Sequence, residues 1–281
     1  MKEGNESKMD DRLIKLLNCF KLSARVFQAG ALCHSASFDA HDGLGYIHVL
    51  RQGTLEVKTE SEADFLLNEP SLFFYMNPTS HQLVPKDENV DMVCASIDFG
   101  AGLKNPLLQA LPEVIILKLN DTPTLASSLE LLFTEAADEN CGRQAVLDRL
   151  IEIIVIQLLR DLMNKNRLQV GLLAGLADPK LAKAINTIHD EPDRDWTLDS
   201  LANIAGMSRA RFAAKFREIV GLTPGNYLSQ WRVSVAQSLL RQGKSVQLVA
   251  NEVGYGSASA LSRVFAAQVG LSPSEWKKQN I

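Results

Sequence analysis

One pattern occurs twice near the C-terminus, and it restricts what the last third of the chain can fold into. The first copy runs Ser208, Phe216, Gly221, Leu222, Thr223, Pro224; the second runs Ser257, Phe265, Gly270, Leu271, Ser272, Pro273, every position displaced by 49. Upstream, Ala202, Asn203 and Gly206 match Ala250, Asn251 and Gly254 at a displacement of 48, so the second turn is one residue longer. Two crossed helices joined by a tight turn need these residue types. A small Ala lets two backbones approach, Gly adopts the positive φ that ends the first helix, and Ser caps the next. Phe212 with Phe216, and Leu261 with Phe265, each share one helical face at i and i+4. That spacing directs Arg209, Ala210, Ala213, Ala214 and Arg217 outward from the first copy, and Ala258, Ser259, Ser262 and Ala266 from the second. The repeat predicts two helix-turn-helix units whose outward faces have the shape to enter a DNA major groove.

A helix-turn-helix pattern alone can be mere packing, but the charge distribution is an independent property of the same stretch. Residues 200–281 hold ten Lys or Arg against three Asp or Glu, a net of +7; the whole chain is at −4, so residues 1–199 carry −11. A basic segment on an acidic body is what phosphate binding requires, since neutralising phosphates releases counterions.

The stretch from about Pro179 to Trp276 closely resembles the DNA-binding domain of the AraC/XylS family of bacterial transcription regulators. The run Val246-Gln247-Leu248-Val249-Ala250-Asn251-Glu252-Val253-Gly254-Tyr255, followed by Ser257, Leu261, Ser262, Arg263 and Phe265, carries much of that likeness. The resemblance implies two helix-turn-helix units joined by a long helix. Here that helix would run from Pro224 to Arg241, with Tyr227, Trp231, Val235 and Leu239 recurring along one face. Carried over by position, the family's base-reading residues fall on Ala210, Ala213 and Ala214, after Ser208 and flanked by Arg209 and Arg211. In the second unit they fall on Ala258, Ser259, Ser262 and Arg263. Alanine offers only a methyl contact to thymine, whereas Arg263 can hold guanine through two hydrogen bonds, worth roughly 1–3 kcal/mol of discrimination. The first unit is therefore expected to depend on Arg209, Arg211 and Arg217, and the second to carry more polar readout. Arg232 and Lys244 are further candidates for DNA contact. For each cation the alternative is a solvated helix face.

From about Val26 to Leu119 the chain reads as short strands broken by turns. Tyr46–Leu50 and Thr54–Val57 flank Arg51-Gln52-Gly53, a predicted hairpin turn; Ser71–Met76 ends at Asn77-Pro78; Met92–Ile97 precedes Asp98 and Gly100. Strands at this spacing suggest an antiparallel barrel or jelly roll. The order Val49-Leu50-x-x-Gly53, a strand, then Pro78-x-x-His81 resembles the cupin barrel that serves as sensor in many AraC-type regulators, with Asn68-Glu69-Pro70 where Pro-Gly-Asp is usual.

Cupins include metal-dependent enzymes, which show H-x-H on their first motif. Here His48 stands alone with Leu50 two positions later, so an iron site of two His and a carboxylate is poorly supported. Cys33, His48, His81 and Cys94 all fall in the strand region and form a candidate tetrahedral structural zinc set. The alternative is core cysteines and hydrogen-bonded histidines. His34 is expected in solvent, and His41 and His189 give no site signal. Four cysteines without close C-x-x-C pairing predict no disulfides in a cytosolic protein.

Thr124–Glu139 is amphipathic, and Gln144–Asn164 carries Leu147, Leu150, Ile151, Ile154, Leu158 and Leu162 along one stripe. Ile153, Val155, Ile156 and Leu159 widen that apolar surface, which requires burial on two fronts. A wholly intramolecular core helix and a dimer contact both satisfy it, and the family resemblance favours the homodimer. No run of eighteen apolar residues occurs, and the polar Met1–Arg12 does not read as an export signal.

These observations predict a two-domain α+β protein. Residues 1–170 would form a cupin-like antiparallel β-barrel with accessory helices for ligand sensing and dimerisation, 171–178 a linker that packs against a neighbour, and 179–281 an all-α domain with two helix-turn-helix units. The function implied by the resemblance is that of a cytoplasmic, sequence-specific transcription regulator, an activator or a repressor acting on double-stranded DNA and RNA polymerase under control of a small-molecule effector or metal, not an enzyme. Two competing readings are a cupin enzyme with a helical appendage and a constitutive DNA-binding protein whose barrel is purely structural.

Overall fold

The computed structural model describes residues 11–40, 44–60, 63–100, 112–165 and 170–280; His41 and the first ten residues lie outside them. The chain divides into two compact units. One is built on Lys21–Ala177 with Glu218–Gly221, the other on Asp178–Arg217 and Leu222–Ile281 together with the N-terminal segment that ends at Phe20.

Among the described residues the first unit holds nine strands: β1 (Ser23–Ala31), β2 (Ala36–Phe38), β3 (Gly45–Gln52), β4 (Leu55–Thr59), β5 (Phe65–Leu67), β6 (Ser71–Tyr75), β7 (His81–Pro85), β8 (Asp91–Asp98) and β9 (Val114–Lys118). They form two antiparallel sheets, ordered β1-β8-β3-β6-β9 and β2-β7-β4-β5. Leu50, Phe73, Tyr75, Met92 and Cys94 from the larger sheet share one core with Leu55, Val57, Leu67 and Leu83 from the smaller. Among the described residues the sheets do not join into the closed barrel that strand spacing suggested.

The expected hairpin across Arg51-Gln52-Gly53 is also replaced. β3 is buried from Gly45 to Leu50 and has β6 on one edge and β8 on the other, so no edge remains for β4. At Gly53 the chain adopts φ +92° and turns into the other sheet, passing so close to β8's approach that a Cβ there would lie 2.6 Å from Val90 Cα. β4 then pairs with β5 and β7.

Two helices, α2 (Ala126–Ala137) and α3 (Arg143–Asn164), pack on each other and on β1. β1 is an edge strand, and α3 satisfies its open backbone groups: Val26 N–H donates to Asp148 Oδ1 (2.7 Å), Ala24 N–H to Glu152 Oε1 (3.3 Å), and Gln144 Nε2 donates to the Val26 carbonyl (2.8 Å). A covered edge cannot recruit a foreign strand. The expected linker is helical over Leu172–Ala177 (α4), which packs on α3 with Leu172, Leu173 and Leu176 buried.

The second unit contains α1 (Ile14–Phe20), α5 (Pro179–Asp190), α6 (Leu198–Ile204), α7 (Arg209–Val220) as far as Arg217, α8 (Pro224–Arg241), α9 (Val246–Glu252), α10 (Ala258–Val269) and α11 (Pro273–Asn280). α1 was expected with the N-terminal domain; it packs instead on α5 and α8, its Phe20 ring edge-on to Trp231 at 5.8 Å. α8 begins as read from sequence, with Pro224 in its first turn and the Thr223 hydroxyl accepting from Asn226 N–H (3.3 Å). Its buried surface is wider than one stripe. Tyr227 and Trp231 are enclosed, but so are Leu228, Val233, Ala236 and Leu240, because α1, α9, α10 and α11 all pack against it.

Candidate nucleic-acid interface

The two repeated segments fold as two helix pairs, α6–α7 and α9–α10, closed by the same backbone hydrogen bonds. In the first, Gly206 (φ +62°) donates to the Asn203 carbonyl (3.0 Å) and Met207 N–H to the Ala202 carbonyl (3.0 Å). In the second, Gly254 (φ +79°) donates to Asn251 (3.2 Å) and Tyr255 to Ala250 (2.8 Å). Each Ala–Asn–Gly set therefore makes a glycine-terminated C-cap that lets the next helix leave at a sharp angle. The Ser257 hydroxyl accepts from Ala260 N–H (3.2 Å) and caps α10; Ser208 precedes α7 and its carbonyl accepts from Phe212 N–H (2.9 Å).

Phe212 and Phe216 are fully buried on the inner face of α7, and Leu261 and Phe265 on that of α10. The residues singled out for DNA contact consequently share outer faces. Ser208, Arg209, Ala210, Arg211, Ala214 and Arg217 are exposed and Ala213 half-buried on the first pair; Ser259 and Arg263 are exposed and Ala258 and Ser262 half-buried on the second. Ala213, Ala214 and Arg217 also line an apolar groove of about 450 Å³ together with Trp196, Leu201 and Leu228.

The cations divide by what they touch. Arg209 forms an exposed ion pair with Asp199 of α6 (3.1 Å), a contact worth at most about 1 kcal/mol that a phosphate can displace. Lys215 pairs with Asp178, and Lys244 with Glu252 (2.6 Å), so Lys244 is already partly neutralised. Arg232, offered above as a DNA contact, is otherwise engaged: its Nε donates to the Pro192 carbonyl (2.7 Å) and its Nη2 to the Arg194 carbonyl (3.0 Å). Arg211, Arg217 and Arg263 have no ion-pair partner among the described residues.

In the sheet unit, the proposed tetrad is not assembled. His48 and His81 meet, Nε2 to Nε2, at 2.9 Å, and Cys94 lies directly opposite His48 across the β3–β8 ladder, packed in the apolar core. Cys33 is exposed, and among the described residues no three His, Cys, Asp or Glu side chains gather as a metal would need. His34 is exposed as expected. The residues present do not fit a resident metal.

The histidine pair has a definite protonation pattern. His81 Nδ1–H donates to the Thr79 carbonyl (2.8 Å), so its Nε2 accepts from His48 Nε2–H. That leaves the His48 Nδ1 lone pair buried with no partner among the described residues. Phe38, Phe73 and Tyr75 surround the pair with ring centres 4.3–5.0 Å away. Burial holds both histidines below their usual value, and for His48 the neighbouring His81 adds to it. His81 also walls a polar cleft of about 360 Å³ lined by Ser37, Lys58, Glu60 and Ser80.

Sequence reasoning missed the third buried histidine. His189 stacks on Trp231 at 3.8 Å and meets the Tyr227 hydroxyl at 2.5 Å, with its pKa pushed down to about 3 by burial and then by Lys15. Its position in the apolar phase of α5, beside Ile185 and Ile188, was the available signal.

Comparison with known proteins places these features. A cupin family model matches residues 11–164, and a helix-turn-helix domain model matches residues 201–279. An HTH-type transcriptional regulator of Haemophilus influenzae is 31% identical over 263 residues, which is 84% of this chain and 87% of that protein. An AraC-like transcription regulator of Streptomyces lividans is 34% identical over 68% of this chain and 64% of its own length. The HTH-type transcriptional regulator AlkR of Acinetobacter baylyi is 35% identical over 67% of this chain and 62% of its own. No helix among the described residues is long and apolar enough to cross a membrane. With its sheet unit matched by the cupin model and its repeated helix pairs by the helix-turn-helix model, the chain belongs to the AraC-type transcriptional regulators that carry an N-terminal cupin domain.

Proposed function

We propose that this protein is a sequence-specific transcription regulator that sets α7 and α10 into successive major grooves of one duplex face, α6–α7 and α9–α10 acting as its two helix-turn-helix units. The observation that carries the reading is the pair of matching C-caps, which present one outward helix face with Arg211 and Arg217 and another with Arg263, none of them in an ion pair among the described residues. Selection of duplexes from a random-sequence pool by the full-length protein tests it, and a pool without enrichment would refute it.

The two faces differ in what they can read. Arg263→Ala is expected to relax base preference at one position at a cost of roughly 1–3 kcal/mol, measured by competition among single-base variants of the selected duplex. Arg217→Ala should instead weaken binding to all duplexes and reduce the magnitude of the log–log salt slope by about 1. An unchanged salt slope would take Arg217 off the list of phosphate contacts.

In the same reading the cupin domain carries effector control and the dimer contact. The cleft beside His81 is the effector site the geometry favours, since its polar rim of Ser37, Lys58 and Glu60 surrounds the stacked rings of Phe38 and His81 (4.8 Å). Val146 and Ile153 stay exposed at 40% and 44% on α3 beside Arg149 and Arg160, which suits a second copy of the helix. Ile153→Glu is expected to yield monomers in sedimentation at concentrations where the unaltered protein dimerises. Effector binding would shift the arrangement of the domains and so promoter occupancy or contact with RNA polymerase. A metabolite panel read by melting shifts tests it, and the absence of any shift would favour a purely structural cupin domain.

A further inference from the structure

The two helix pairs are linked by more than α8. Arg232, midway along that helix and half-buried, bridges the Pro192 and Arg194 carbonyls of the loop that leads into α6. Its guanidinium also lies 5.5 Å from the ring centre of Tyr255, the residue that follows the turn glycine of the second pair. That glycine has no room for a side chain: a Cβ on Gly254 would lie 2.6 Å from the Asp193 carbonyl oxygen and 2.7 Å from Arg232 Nη2. Its counterpart Gly206 has nothing within 4 Å of the same position. Both glycines need positive φ, so close approach is a separate demand at Gly254 alone. The loop is anchored in turn, since Arg194 pairs with Glu191 (2.8 Å) and lies 4.3 Å over the Trp196 ring. The loop entering the first pair is thus pressed onto the turn of the second, with Arg232 bridging them.

We infer that this Arg232–Gly254 joint fixes the separation and rotational phase of α7 and α10, and so determines which spacing of two DNA boxes the protein accepts. The inference rests on the two-unit reading above. Two linked binding modules reinforce each other only when their geometry allows simultaneous engagement, and the gain depends on how narrowly the link holds them. α8 supplies one connection; a second, off its axis, removes the remaining freedom to twist. Planarity explains why an arginine is used, because one guanidinium can meet two carbonyls in a fixed fork.

The test compares full-length variants on the duplex recovered from the random pool and on the same duplex with two base pairs inserted between its boxes. The unaltered protein is expected to lose roughly tenfold or more in affinity on insertion, because the second helix no longer meets its groove. Arg232→Gln and Gly254→Ala should bind the two duplexes within about twofold of each other, both near the affinity for a single box. Gly243→Ala, at a glycine of φ +88° with nothing within 4 Å of its Cβ position, carries comparable backbone strain away from the joint and should keep the tenfold discrimination. Circular dichroism establishes that each variant is folded, and Arg232→Lys, which keeps the charge but loses the fork, replaces any that is not. Tryptic cleavage after Arg194, faster in Arg232→Gln than in the unaltered protein, reads the joint without DNA. Discrimination retained by both joint variants overturns the inference, and faster cleavage with discrimination retained would confine Arg232 to holding its loop. An unaltered protein that selects no duplex would instead overturn the DNA reading itself, and this inference with it.

Discussion

Replacing Trp231 with Ala is expected to remove about 3–5 kcal/mol of unfolding free energy, the range found when large aromatic side chains are deleted from cores. Trp231 is 1% exposed, stacks on His189 at 3.8 Å and meets Phe20 edge-on, so three separate helices, α1, α5 and α8, converge on one ring. No neighbour can collapse into the space without releasing another. For a unit of this size the loss corresponds to a fall in melting temperature on the order of 10 °C or more, measurable by calorimetry. A change below about 1 kcal/mol would mean that these helices do not share a core.

Acidification should destabilise the protein through histidines that fold buried and neutral. At pH values above 6.5 both folded and unfolded chains hold these rings uncharged, so they add no pH dependence. Below 6.5 the unfolded chain takes up protons that the folded chain refuses, and stability falls until the folded pKa is reached. For His189 that window runs from 6.5 down to about 3. At about 1.4 kcal/mol per pH unit and proton, His189 alone accounts for roughly 2 kcal/mol between pH 6.5 and pH 5. His48 and His81 are shifted in the same direction and steepen the decline. Urea unfolding of the unaltered protein and of His189→Gln across this range measures the difference, which should approach one proton. Equal slopes would show that His189 titrates normally.

How far the sequence predicts each part depends on how far apart the interacting residues lie. The helix pairs were legible because their determinants sit within a few positions: a cap glycine, an alanine four residues before it, an aromatic pair at i and i+4. Which residues face outward followed from that spacing alone. The strands were legible one by one, from β-branched and aromatic runs, but their allocation to sheets was not. Tyr46–Leu50 and Leu55–Val57 are separated by a turn that looks local, yet β3 takes its partners from β6 and β8, and no nearby residue announces that both its edges are occupied. Of the two readings of the Cys and His set, the zinc tetrad is not assembled, because four suitable side chains in a strand-rich stretch say nothing of where Cys33, exposed in the connection between β1 and β2, is directed. Arg232 looked like any outward cation because its partners are backbone carbonyls about 40 residues away, which carry no residue-type signature. Helix α1 was legible in principle, with Leu13, Leu16 and Phe20 at helical spacing, but it is too short to stand out from the polar segment before it.

That short helix makes the DNA-binding unit discontinuous in sequence, because the chain contributes α1, departs at Lys21 to build the sheets, and returns at Asp178. A hybrid regulator cut only at the later crossing would strand Leu16 and Phe20 on the wrong parent and leave the face of α8 bare. Exchange of the cupin domain of this protein for another therefore needs two breakpoints, and fragments meant for crystallisation with DNA should carry residues 11–20 grafted back onto 178–281.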